Sequence, residues 1–274
     1  MNRKWYDFTR EIRSQNRFFP KSPVINDVKN IIRKLENILK SGTIVYRARI
    51  YEEKLEDLSN NIDRVIKSEE FDGLSRVQTI NKLKFMPTSD YKQCLLTNIW
   101  GYDEKSSGMP PLDKANIGRA NPQFLPYFYI AEDDYTAIAE VRPYPTDQVS
   151  VAKYKVMKDM KIIDFTGDNG GFRKHLFSDE ENELFEHICC LFSIPTRKPD
   201  YDYIVSQYIS ELIKEMGYKG IRFTSSLSPS GVNITTFTQD NFKFISSHVY
   251  YIRAITVEVM KHFPHYANEI HHPD

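Results

Sequence analysis

Residues 118–143, GRANPQFLPYFYIAEDDYTAIAEVRP, pass from loop to strand to short helix. Glycine, asparagine and proline in GRANP (118–122) break any regular element, and Tyr127-Phe128-Tyr129-Ile130-Ala131 has the aromatic and β-branched content of a buried strand. Glu132, Asp133 and Asp134 suit the first turn of a helix through its macrodipole, with Tyr135, Ile138 and Ala139 on the inward face. Pro143 limits its length. Each joint carries a polar residue: Arg119 in the loop, Tyr129 in the strand, Glu140 at the helix end. Loops and element ends are where a scaffold presents working groups.

Before this block, apolar residues at Val24, Ile25, Val28, Ile31, Ile32, Leu35, Ile38 and Leu39 keep the three-and-four spacing of a helix over 24–39, stopped by Lys40, Ser41 and Gly42. TIVYRARI (43–50) reads as a strand. Residues 51–108 are polar and charge-rich, an insertion of short surface helices closed by SSGMPP. After the block, Val149 to Val156 alternates as a strand, with KIIDF (161–165) as its expected partner. Ser178 and Glu181 form a capping-box pattern opening a helix through Leu184, Phe185, Ile188, Leu191 and Phe192. A second helix spans about 200–216 with Gly217 as terminator. GIRF (220–223) and NITTF (233–237) flank the loop TSSLSPSG, and VYYIRAITVEV (249–259) is the last expected strand. Helices and strands mix without strict βαβ alternation, so the predicted fold class is α+β rather than a doubly wound parallel sheet.

Composition narrows the function. The 274 residues carry 37 basic and 37 acidic side chains, for a formal net charge of +0. No overall positive field draws a polyanion or a membrane surface, so direct nucleic-acid binding is not expected. No apolar run approaches the roughly 20 residues of a membrane span, and MNRKWYDFTREIR lacks the apolar core of a signal peptide, which predicts a cytoplasmic protein. Cys94, Cys189 and Cys190 build neither a disulfide framework nor a zinc site. The sequence has no GxxxxGK[ST], GxGxxG, HExxH, CxxC or GxSxG. GDNGG (167–171) has the wrong spacing for a phosphate loop and reads as a turn. Glu183, Glu186 and His187 lie at helical spacing but have no second ligand cluster, so no metal is expected.

What remains is a set of polar residues at the ends of apolar strands and helices: Arg47 in YRAR, Arg119, Tyr129, Glu140, and Ser225 with Ser226 after GIRF. The succession YRAR, GRANP with YFYIA, TAIAEVRP, GIRFTSS and GVNITTF resembles the RES-domain family, over about residues 43–240 and most densely over 118–142. The resemblance implies an ADP-ribosyltransferase-like mixed sheet with flanking helices. It divides the chain into an N-terminal helical extension (1–42), a RES domain (43–260) interrupted by the 51–108 insertion, and a tail (261–274). It further implies a toxin of a bacterial toxin–antitoxin pair that cleaves the nicotinamide–ribose bond of NAD, with phosphate as acceptor (NAD phosphorylase) or water (glycohydrolase). Protein ADP-ribosylation and a non-catalytic nucleotide-binding module are the alternatives.

Carried onto this sequence, the resemblance assigns catalysis to Glu140, Arg47 and Arg119, and substrate binding to Tyr129, Ser225, Ser226 and Asn233, with Arg49 as the alternative to Arg47. No cofactor is implied: NAD is the substrate and inorganic phosphate the co-substrate. The implied partner is a helix-turn-helix antitoxin, and the 24–39 helix and the insertion offer faces for it or for a homo-oligomer. The residue types suit this chemistry. Guanidinium forks match a pyrophosphate, and a carboxylate favours an oxocarbenium-like transition state. The pyridinium leaving group is already cationic, so no strong general acid is required.

Overall fold

The computed structural model describes residues 3–52, 73–75, 77–78, 81–82, 101–166, 176–196, 198–228 and 230–256. Most of the 51–108 insertion, GDNGG, Cys94 and the 261–274 tail lie outside them. Eight strands form one mixed sheet: β1 (Glu36–Leu39), β2 (Ile44–Ile50), β3 (Phe128–Ala131), β4 (Gln148–Val156), β5 (Met160–Asp164), β6 (Gly220–Thr224), β7 (Val232–Thr236) and β8 (Phe242–Tyr251). Their order is β1-β5-β6-β7-β3-β2-β4-β8, and only β5 and β6 run parallel. Among the described residues they are accompanied by the helices α1 (Arg3–Ser14), α2 (Val24–Lys34), α3 (Glu104–Ser107), α4 (Asp134–Glu140), α5 (Asp179–Ser193) and α6 (Pro199–Glu215). The fold class is α+β.

Alternation along the strands divides the core in two. Ile163, Phe165, Ile221 and Phe223 face α1, α2, α5 and α6, whose Phe8, Ile12, Ile31, Ile188, Val205 and Ile209 close the larger cluster. The first two helices therefore pack into the same core as α5 and α6. Val45, Phe128, Ile130, Tyr154, Ile234 and Phe242 form a second cluster on the sheet. Small residues, Ala48 and Ala131, let α4 lie close against the sheet through Ala137. That contact brings the end of α4 to the strands.

Four expectations change. The inward face of α4 is carried by Thr136 and Ala137, while Tyr135 is exposed. The helix predicted over 24–39 ends at Lys34, and residues 36–39 are an edge strand instead. Asn37 Nδ2 donates to Asp164 Oδ2 at 3.0 Å and Glu36 pairs with Lys161 at 2.8 Å, so the open edge of β5 captures a segment whose apolar spacing would also fit a helix. KIIDF is not the hairpin partner of β4. The pairings Leu39↔Met160 and Ile44↔Lys155 continue one antiparallel ribbon past a corner at Gly42, whose φ of 88° suits glycine. The last strand is Phe242–Tyr251, displaced toward the N-terminus because β4 offers it partners from Val156 to Gln148; residues 257–259 lie outside the described residues. The capping box at Ser178 and Glu181 forms with both hydrogen bonds, and Gly217 ends the turn after α6 at φ 92°.

Candidate active site

The pairing between β2 and β3 is reduced to Tyr46↔Ala131, whereas β2 and β4 pair at seven positions. Where β2 and β3 splay, a cavity of about 740 Å³ opens, walled by both strands, the 117–119 loop, the end of α4 and the start of α6. Its walls carry Arg47, Arg119, Tyr129, Glu140, Ser226 and Asn233, residues distant in sequence that the fold brings together. Ser225 is not in the wall; it stands behind Glu140.

Glu140 is aimed by two donors. Ser225 Oγ and Asn233 Nδ2 each donate to its Oε1 at 2.6 Å, while Oε2 makes no hydrogen bond among the described residues. Ser225 is fixed in turn, its Oγ accepting from the backbone N–H groups of Leu227 and Ser228 at 3.0 and 3.1 Å. Ser225 N–H donates to the Gly231 carbonyl at 2.8 Å, which ties the two ends of the connection between β6 and β7 together. A Cβ at Gly231 would come within 2.3 Å of Thr136 Oγ1, so glycine allows that loop to sit on α4.

The arginines are held differently. Arg47 Nη1 donates to the Tyr129 carbonyl at 2.8 Å, standing in for the strand hydrogen bond lost where β2 and β3 diverge, and its Nε is buried without a partner. Burial, with Arg49 adding to it, pushes the Arg47 pKa down to about 10. Arg119 Nη1 donates to the carbonyls of Leu191 and Ile194 at 3.2 and 2.8 Å, so a cation caps the C-terminal end of α5 where carbonyls lack helical partners. Its Nη2 lies 3.5 Å from Ser226 Oγ, and the guanidinium sits 5.3 Å from the Tyr203 ring. Arg49 lines the same wall and donates to the Ser106 carbonyl.

Tyr129 presents its ring and not its hydroxyl. The phenol donates to Asn121 Oδ1 at 2.6 Å and accepts from Ala120 N–H at 3.0 Å, and burial raises its pKa far above the ordinary value. A Cβ on Gly118 would clash with both Asn121 Oδ1 and the Tyr129 hydroxyl, at 2.3 and 2.5 Å, so this close lock needs glycine. From α6, Ser206 Oγ donates to the Arg119 carbonyl at 2.6 Å, and Gln207 Nε2 donates to the Gly118 and Asn121 carbonyls at 3.0 Å each. Arg17 closes the set by donating to Gln207 Oε1 at 2.8 Å. Gln207→Leu removes the side-chain donor from the Gly118 carbonyl and one of two donors from the Asn121 carbonyl, which keeps the Gly118 N–H at 2.9 Å, so the urea midpoint should fall by the equivalent of ~1–3 kcal/mol; an unchanged midpoint would show that the loop keeps its shape without α6.

Four residues that sequence reasoning did not single out matter here: Tyr203, Asn121, Thr196 and Arg142. Tyr203, Thr196 and Arg142 line the cavity, and Asn121 locks Tyr129. Only Arg142 carried a signal, an arginine two residues past Glu140 in EVRP. Elsewhere, His187 stacks on Trp5 at 5.5 Å and lies 3.6 Å from Glu183, and no group of three or more His, Cys, Asp or Glu that could hold a metal gathers among the described residues. Among the same residues no helix is long and apolar enough to cross a membrane.

A family profile described as "RES domain" matches residues 90–258, well over half of the chain. Arg119, Tyr129, Glu140, Ser225, Ser226 and Asn233 fall inside the matched span, and Arg47 precedes it. No curated protein matches the chain in sequence. Among solved structures, a chain from the crystal structure of the M. tuberculosis MbcT-MbcA toxin-antitoxin complex is similar at 12% identity and a TM-score of 0.39, covering 82% of this chain and 92% of that one.

Proposed function

Because the chain belongs to the RES-domain family, we propose that it cleaves NAD between nicotinamide and ribose and acts as the toxin of a toxin–antitoxin pair. One observation carries this reading. In a chain of zero net charge, the cavity wall gathers Arg47, Arg49, Arg119 and Arg142 against a single carboxylate, Glu140. Such a wall suits a ligand that is anionic at one part and develops positive charge at another, and its volume is in the range of small-molecule sites, about 300–1,000 Å³. NAD has both features.

The arginines bind the pyrophosphate, and the Tyr129 ring offers a face to a planar group. The glycosidic bond then breaks, its electron pair leaving with nicotinamide, and positive charge appears on the ribose. Glu140 Oε2 is the oxygen free to stabilise that charge or to hold a ribose hydroxyl. A phosphate oxygen bonding to the ribose carbon gives ADP-ribose 1″-phosphate. Water gives ADP-ribose and a proton. Phosphate is the acceptor we favour, and no cofactor enters. Arg47 keeps its proton at neutral pH, and its hold on the anion fades only as pH rises through about 10.

Purified protein incubated with NAD, with and without phosphate, should release nicotinamide; folded protein that releases none in either buffer overturns the proposal. Labelled NAD in a lysate that ends on a protein band, with bulk NAD spared, would instead identify a protein ADP-ribosyltransferase. ADP-ribose at a hundred times its Kd should add ~2.7 kcal/mol to stability, read as a rise in melting temperature. The toxin reading also predicts a partner antitoxin, which we expect to be a helix-turn-helix protein. Co-expression of a candidate antitoxin should restore cellular NAD levels.

A further inference from the structure

Of the four guanidinium groups around the cavity, three are committed to the fold. Arg47 holds the Tyr129 carbonyl, Arg49 the Ser106 carbonyl and Arg119 the end of α5. Arg142 makes no side-chain hydrogen bond or ion pair among the described residues, although it lies in the wall two residues beyond Glu140. Its backbone is also unusual. Arg142 closes α4 with its N–H donating to the Ala139 carbonyl at 3.0 Å, and it does so at φ 49°, a left-handed position normally given to glycine or asparagine. Among the described residues no side-chain partner accounts for an arginine there.

The neighbours supply a reason. Burial lowers the Arg119 pKa and the charge of Arg142 lowers it further, while Tyr203, Glu140 and Tyr129 act in the other direction. Arg119 and Arg142 line the same cavity from two elements, and an anion between them would relieve their repulsion.

We propose that Arg142 is an oxyanion-binding residue of this site, taking with Arg119 a phosphoryl group that is either the pyrophosphate of the dinucleotide or the inorganic phosphate that attacks the ribose. This rests on the NAD-cleaving reading. Glu140 is itself anionic, so a phosphate arriving beside it needs a local cation, and Arg142 is the uncommitted one.

The test compares the full chain with Arg142→Asn and Arg142→Lys. Asparagine tolerates the left-handed backbone and removes the charge, so the turn should survive. Initial rates are measured against NAD at saturating phosphate and against phosphate at saturating NAD, and ADP-ribose binding is measured by calorimetry. Arg142→Asn should raise at least one of these constants by about tenfold or more, with partial recovery in Arg142→Lys. A rise in the NAD KM and the ADP-ribose Kd assigns the pyrophosphate; a rise confined to the phosphate KM assigns the acceptor. All three constants within twofold of wild type would overturn the inference while leaving NAD cleavage intact. Wild type that binds ADP-ribose but releases no nicotinamide would remove the cleavage reading, and the ADP-ribose Kd of Arg142→Asn would still decide Arg142. Wild type that neither binds nor turns over removes both.

Discussion

Glu140→Gln should lower kcat for nicotinamide release by about 30- to 1000-fold, the ~2–4 kcal/mol that a preorganised charge contributes to a developing cation. The substitution is nearly isosteric. Its amide oxygen can still accept from Ser225 and Asn233, so the side chain keeps its place while the negative charge is lost. The KM for NAD should change little, because in the proposed binding mode the arginines and not Glu140 face the anionic part of the substrate. A rate within threefold of wild type would remove Glu140 from the chemistry. Ser225 separates from Glu140 in this experiment. As a residue that aims the carboxylate without lining the cavity, it should lose less when changed to Ala, and the loss should lie in kcat.

That distinction was not legible in the sequence. Ser225 and Ser226 are neighbours in a polar loop, and which one faces a cavity depends on how 225–231 closes on α4 through Thr136 and Gly231. The same holds for Tyr129: strand alternation shows that it opposes Phe128 and Ile130, but the fate of its hydroxyl depends on Asn121 and on a glycine at 118. Arg119 and Glu140 stood out because they sit at the ends of clear local elements. Tyr203 did not, since nothing in the spacing of α6 separates it from an ordinary helix residue.

The fold divides in a similar way. The elements around residues 118–143, 178–193 and 199–217 were readable because caps, glycines and periodicity act within a few residues. Strand partnership is not local. Residues 36–39 are a strand because β5 has an open edge, and KIIDF leaves β4 because the chain turns a corner at Gly42. Arg222 shows the cost of missing such pairings: GIRF read correctly as a strand, yet its arginine had no expected role.

Arg222→Met should destabilise the protein by ~2–4 kcal/mol, a loss seen as a fall of several degrees in melting temperature. Arg222 on β6 forks onto Glu132 at 2.6 and 2.9 Å and reaches Asp164 Oδ2 at 3.1 Å and Thr166 Oγ1 at 2.9 Å. The Asp164 side chain is 3% exposed, against 35% for Glu132, so removing the guanidinium strands a buried charge at one partner and a half-open one at the other. Asp164 keeps hydrogen bonds from Asn37 and Thr166, which places the expected cost below that of a fully isolated ion. The hydrogen bond to Glu132 raises the Arg222 pKa further, so this contribution is present at every working pH and lost only above the arginine range. Glu132→Gln should cost less than half as much, because Arg222 then still holds Asp164. Equal losses in the two variants would place the stabilisation in the exposed pair instead. Glu132 directly precedes Asp133, which caps α4, so the Arg222 variant should also loosen the turn that delivers Glu140 and lower kcat more than the KM for NAD.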